Sequence, residues 1–219
     1  MNIHKNTHIN LYFTKYFIYL FNMKNILFID IETVSQVDNF DKLPERMKSL
    51  WSRKAAFLKQ NNETTDKEMY HEKAGIYAEF GKIVVIGVGF FVRNSEEQLT
   101  LRVKALKGDD EKQLLLDFKD ILVRANEEDI QLCGHNGKEF DFPYLCRRMV
   151  VNGISLPYAL DTSGKKPWEV NHLDTMQMWK FGDYKHYTSL DLLASIFNIE
   201  SSKQGIDGSE VGDVYYKEN

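Results

Sequence analysis

An α/β fold built on a mixed sheet is predicted by three observations. Apolar, β-favouring runs at residues 25–31, 82–92 and 130–133 have the composition of buried strands. Two of these runs, with an alternating segment at 99–106, come early, and segments of helical period alternate with strands only afterwards. That order is expected of one sheet with both strand directions. The chain has 219 residues, 43% hydrophobic and 13% aromatic, enough for one full core without disulfides or structural metals.

Taken in order, the first 22 residues differ from the rest. Residues 11–21 are apolar and aromatic, but this is about half the ~20 residues a membrane span needs, and Lys15 interrupts them. No small-residue cleavage site follows. Met23 stands directly before the first strand run, so residues 1–22 read as an extension upstream of the true start and residues 23–219 as one domain. His4 and His8 sit at helical ligand spacing, which in such a tail is better explained by chance.

Residues 37–79 are polar with Leu43, Met47, Leu50 and Trp51 at helical spacing, and predict two helices joined by a loop at 61–65. Residues 82–92 form a strand containing Gly87 and Gly89, and 99–106 its half-buried partner. Asp109 or Asp110 caps a helix whose apolar stripe is Leu114, Phe118, Ile121, Leu122 and Ala125. A strand at 130–133 precedes a helix from about Phe142, stopped by Asn152 and Gly153. Beyond a loop rich in Gly, Lys and Pro, Thr188 or Ser189 caps a last helix with Leu190, Leu193, Ala194 and Phe197 on one face. Residues 207–219 predict no further helix.

With 28 Lys plus Arg against 32 Asp plus Glu, the net charge of -4 argues against a broad basic surface coating duplex nucleic acid, though it leaves room for a local basic groove. Cys133 and Cys146 fit neither a disulfide scaffold nor a zinc site, and read as reduced thiols of a cytoplasmic protein. Gly87 and Gly89 lack the third glycine and following helix of a dinucleotide site, and no complete P-loop or nucleophile elbow occurs.

Chemistry concentrates at two places. In Phe28-Ile29-Asp30-Ile31-Glu32-Thr33, strand alternation puts Asp30 and Glu32 on one face and the isoleucines on the other. Two carboxylates about 7 Å apart on an otherwise apolar strand repel each other unless a cation lies between them, which suits a divalent metal. A solvated strand end is the plainer alternative. The second place is Gly134-His135-Asn136-Gly137-Lys138-Glu139-Phe140-Asp141-Phe142-Pro143, which turns on Asn-Gly and delivers Asp141 at the head of a helix. There Asp141 is equally suited to be a simple N-cap. Together the two places supply oxygen ligands from separate elements, as a two-metal phosphodiester site with ions about 4 Å apart requires.

In these stretches residues 23–219 resemble the DEDD superfamily of 3′-5′ exonucleases on the RNase H-like fold, and more narrowly the stand-alone bacterial proteins related to the proofreading domain of family-B DNA polymerases. Residues 28–33 match the first exonuclease motif and 135–141 the second, with support from 78–84 and from Thr188-Ser189-Leu190. The resemblance implies a mixed sheet flanked by helices, and two Mg²⁺ or Mn²⁺ ions held by Asp30, Glu32 and Asp141. It implies hydrolysis of single strands from the 3′ end, DNA favoured, with release of nucleoside monophosphates. Thr33, His135, Asn136 and Phe140 are expected against the substrate, and Lys165 and Trp168 offer the charge and stacking face that single strands use. Lys138, Arg147 and Arg148 stand near Asp141 as phosphate contacts, although such Arg pairs usually face water.

A third motif should supply a fourth acid and a water-orienting aromatic. Tyr187 and Asp191 fit the spacing of its tyrosine form and His186 and Asp191 that of its histidine form, but Asp191 stands in the first turn of a capped helix, where an acid is expected for dipole reasons. The motif is therefore expected beyond Asn219, and the sequence reads as lacking the domain's C-terminal end. The rival to an exonuclease is a catalytically inactive RNase H-like module that binds nucleic acid or a protein partner.

Overall fold

The computed structural model describes residues 25–59, 64–125, 130–183, 187–200 and 210–218. The N-terminal extension with His4 and His8 lies outside the described residues.

The centre of the sheet is β1 (Ile26–Ser35), whose inward Leu27, Ile29 and Ile31 are buried while Asp30 is exposed and Glu32 half-buried. It pairs antiparallel with β2 (Gly81–Arg93), with Asp30 opposite Gly87 and Glu32 opposite Val85. A bulge follows at Glu32 and Thr33. On the other side β1 pairs in parallel with β4 (Gln131–Gly134), from Ile26↔Gln131 to Phe28↔Cys133. With β3 (Leu99–Lys107) and β5 (Leu173–Asp174), the order is β3-β2-β1-β4-β5 in one five-stranded sheet. The sheet is mixed, as expected, because β3, β2 and β1 alternate in direction while β4 and β5 run parallel to β1.

Between β1 and β2 lie α1 (Glu45–Leu58) and α2 (Asp66–Lys73). Thr65 starts α2 through a capping box: its hydroxyl accepts from the Glu68 amide while Glu68 takes the Thr65 amide. This pair encloses a small core around Trp51, which is fully buried. Its ring meets Tyr70 and Phe80 edge-on at 5.2 and 5.0 Å, and its Nε1 donates to the Asp66 carbonyl.

The main core forms where α3 (Glu111–Arg124) and α4 (Asp141–Val151) pack on the sheet, burying Leu115, Phe118, Leu122, Leu145 and Met149 against Ile29, Ile31, Ile86 and Val88. Asp110 caps α3 by accepting from the Gln113 amide. Ala125, expected in the buried stripe, is instead the exposed C-cap. Short helices α5 (Thr175–Lys180), α6 (Leu190–Ile196) and α7 (Val211–Glu218) follow. Among the described residues no helix is long and apolar enough to cross a membrane.

Four further expectations are corrected. The 99–106 run is an edge strand, with Leu101 and Val103 at 52% and 72% exposure, because nothing described covers its outer face. The chain's end does hold a helix: α7 docks on the end of β1, where the Tyr216 hydroxyl donates to the Ser35 carbonyl and Lys82 lies over the Tyr215 ring. Of the apolar face expected on the Thr188/Ser189-capped helix, Leu193 is buried while Leu190 and Phe197 are more than half exposed. Arg148 does not face water. It is buried in a two-pronged ion pair with Glu111, at 2.8 and 2.6 Å, and donates to the Ala78 carbonyl, while Glu111 also accepts from the Ile83 amide and Asn152. A phosphate cannot reach it.

Candidate active site

Pairing of β1 with β4 ends at Phe28, so the amides of β1 beyond that point need another acceptor on that edge. For Ile31 the acceptor is Oδ1 of Asp141, at 3.1 Å. Asp141 therefore does not act as the N-cap of α4. That position is Phe140, which makes no side-chain cap bond, and the Asp141 carboxyl reaches across to the backbone between Asp30 and Glu32.

Asp141 is 4% exposed. Burial, then the negative charge of Asp30, push its pKa up to about 7, although the Ile31 amide pulls the other way. The exposed Asp30 and the buried Asp141, from different elements, thus come together where the charge of Asp141 is disfavoured. Oxygen donors of this kind suit a hard divalent cation, whose charge would relieve both. Among the described residues, no group of three or more His, Cys, Asp and Glu side chains gathers closely enough to hold a metal ion. Asp141 feels the charges of Asp30 and, more weakly, Asp174; Glu32 lies two residues beyond Asp30 along β1, beside the bulge.

Gly87 stands across from Asp30 and Gly89 across from Phe28, so β2 places no side chain beside the exposed acid. A Cβ at Gly87 would come within 3.5 Å of the Asp30 carbonyl. These glycines, unhelpful as a nucleotide motif, leave open the sheet surface around Asp30.

The turn before Asp141 is closely built. Asn136 has φ of 64°, and Gly137 lies so near Gly134 and Phe142 that a Cβ on it would sit 2.9 Å from the Phe142 ring. His135 uses both ring nitrogens inside the protein, bridging Thr175 Oγ1 at 2.9 Å and the Thr188 carbonyl at 2.7 Å. The Asn136 Oδ1 is buried without a hydrogen-bond partner. Phe140 is half-buried against Tyr144, ring centroids 5.4 Å apart. Thr33 is half-buried beside the Tyr144 hydroxyl, which donates to the Gly75 carbonyl.

The remaining candidates lie on loops and helix ends. Tyr187 is 68% exposed, with its ring edge-on to His135 at 6.5 Å, and Asp191 is exposed in the first turn of α6, where Ser189 is the N-cap. Trp168 is 78% exposed with the Lys166 ammonium 5.3 Å from its ring, and Lys165 lies over Tyr158. Asp174 ends β5 and caps α5. Cys133 and Cys146 are free thiols, both pushed up to about 11 by burial.

A family described as "Predicted 3'-5' exonuclease related to the exonuclease domain of PolB" matches residues 76–219. No curated protein matches the sequence. Among solved structures, the family B DNA polymerase from the hyperthermophilic archaeon Pyrobaculum calidifontis superposes with a TM-score of 0.52 at 16% identity, over 87% of this chain and 21% of that one. A chain of an ExoI/SSB-Ct complex is more distant, with a TM-score of 0.37 at 12% identity over 82% of this chain and 37% of that one. The chain thus spans about a fifth of the polymerase's length. The polymerase likeness and the strand order agree with the expected RNase H-like fold.

Proposed function

The chain belongs to the family of predicted 3′-5′ exonucleases related to the exonuclease domain of PolB, and from that membership we propose that it hydrolyses single-stranded nucleic acid, DNA by preference, from the 3′ end. The observation that carries this reading is the Ile31–Asp141 bond, which sets a buried carboxyl next to the exposed Asp30 on an open stretch of sheet.

Asp30, Glu32 and Asp141 are the residues that would hold divalent Mg²⁺ or Mn²⁺, and an ion bound there would polarise a water and offset charge on the leaving 3′ oxygen. The chain's own contributions are positional. The Ile31 amide orients Asp141 through Oδ1, and the bare backbone at Gly87 admits a phosphate to Asp30. Trp168 offers a stacking face with Lys165 and Lys166 nearby, and Thr33, His135, Asn136 and Phe140 shape the approach. Tyr187 and Asp191 are retained as the third-motif pair to be tested. The two free thiols support placement in the reducing cytoplasm.

A second reading, a nucleic-acid-binding or partner-binding module without cleavage, is favoured by the absence of a three-acid cluster among the described residues. Single-turnover digestion of a 3′-labelled single strand with Mn²⁺ separates the two. Release of nucleoside monophosphates, reduced at least 100-fold in Asp30→Ala and Asp141→Asn, supports hydrolysis. Tight oligonucleotide binding in EDTA with no product in Mn²⁺ supports the module instead.

A further inference from the structure

We infer that Asp174 is a positioning residue for the site: its carboxylate clamps the Asn136-Gly137-Lys138 turn and so fixes where Asp141 arrives. Its effect on rate rests on the exonuclease reading, whereas its effect on geometry does not.

Asp174 is 2% exposed, and its two oxygens accept four backbone N–H groups. Oδ1 takes Met176 and Gln177 at 3.0 and 3.2 Å, the bonds of an ordinary N-cap, and also Asn136 at 3.0 Å. Oδ2 takes Lys138 at 3.1 Å. Helix capping alone does not call for an acid here, since Ser, Thr or Asn caps comparably well and a buried charge is costly to desolvate. What a carboxylate adds is a second acceptor oxygen, and that oxygen is spent on a segment 36 residues earlier in the chain.

The clamped turn leads without slack into α4. The Asn136 carbonyl accepts the Phe140 amide at 2.9 Å, and the Gly137 carbonyl accepts the Phe142 amide at 2.9 Å. Asp141 lies between those two residues, so the turn and the first residues of α4 move together. Asn136 sits in the left-handed region, φ 64°, which asparagine tolerates better than most side chains, and the bond from its amide to Asp174 helps to hold it there. On the far side, His135 ties the same stretch to Thr175 and Thr188, so β4, α5 and the segment entering α6 all brace the turn.

The test uses the full chain with two substitutions. Asp174→Ser keeps a hydroxyl cap for α5 but cannot reach Lys138. Asp174→Asn keeps an acceptor for Asn136, Met176 and Gln177 and turns an NH₂ toward the Lys138 amide. The readouts are amide hydrogen exchange at Lys138 and at Ile31, whose N–H reports directly on Asp141, and the split between kcat and KM in the Mn²⁺ digestion. Expected are native far-UV spectra, exchange at Lys138 and Ile31 at least tenfold faster, and kcat down 10- to 100-fold with KM within about twofold. If Asp174→Ser fails to fold, Asp174→Asn, which retains three of the bonds, decides. Unchanged Ile31 exchange in a folded variant overturns the inference. A wild-type protein that releases no product refutes the exonuclease reading alone, because the exchange measurement still tests the clamp.

Discussion

The backbone amide of Ile31 and the carboxyl of Asp141, 110 residues apart in the chain, meet in a hydrogen bond of 3.1 Å. That bond favours a charged Asp141, yet burial and the neighbouring Asp30 outweigh it and hold the group near pKa 7.

Stability should therefore depend on Asp141 in a definite direction. An acid whose folded pKa is raised contributes fully below its unfolded value near 3.8, and the contribution is lost as pH rises through about 7. Three pH units correspond to roughly 4 kcal/mol. Asp141→Asn keeps an acceptor for Ile31 but never charges, so it should be inactive and yet more stable than wild type at pH 8, by up to about 4 kcal/mol. The two proteins should be alike at pH 4. Urea unfolding in EDTA at both pH values checks this; an equal difference at each pH would refute it.

The Glu111–Arg148 pair is set up to be expensive to break. Both side chains are under 10% exposed and joined by two bonds. Arg148→Met leaves Glu111 buried with only amide partners and should cost about 3–5 kcal/mol, whereas the double replacement Glu111→Leu with Arg148→Met should recover most of it. Midpoints of urea unfolding for the two variants give the comparison, and equal losses would sink the claim.

Two glycines near the site should respond oppositely to alanine. At Gly137 the new methyl would press on the Phe142 ring and on Gly134, so Gly137→Ala should lose about 1–3 kcal/mol. At Gly87 the nearest atoms, the Asp30 carbonyl oxygen and Cβ, are 3.5 and 3.9 Å away, ordinary contact, so Gly87→Ala should fold normally while covering the open sheet surface beside that acid. Thermal melts paired with the Mn²⁺ digestion distinguish them: Gly87→Ala should lose activity without losing Tm.

Trp168 should matter to substrate and not to stability. At 78% exposure its removal leaves the core intact, while loss of one stacking face should weaken single-strand binding by about 1–3 kcal/mol. Fluorescence anisotropy with a labelled oligonucleotide in EDTA measures it, and unchanged affinity would remove Trp168 from the substrate path.

Much of this architecture was legible because periodicity reports burial. Ile29 and Ile31 alternate with Asp30 and Glu32, and Leu114, Phe118 and Leu122 recur at helical spacing; both patterns appear in the structure as read. What escaped was decided by long-range partners. Asp141 looked like a cap because its acceptor role toward Ile31 depends on where β4 stops. Arg148 looked solvated because charge usually is, although it shares the buried face of Leu145 and Met149, and its partner Glu111 that of Leu114, Leu115 and Phe118. That placement was the available signal. The helices α5 and α7 are six and eight residues long, too short for a period to show, and α7 is held by contacts to Ser35 and Lys82 rather than by its own pattern.

The central strand β1 is made early in translation, and Asp141, the acid bonded to its Ile31 amide, comes 110 residues later. At about 5–20 residues per second, a ribosome takes on the order of ten seconds to cover that distance. Throughout it the nascent chain carries Asp30 and Glu32 but no Asp141. Until Asp141 emerges, the acid pair at the Ile31 amide cannot assemble.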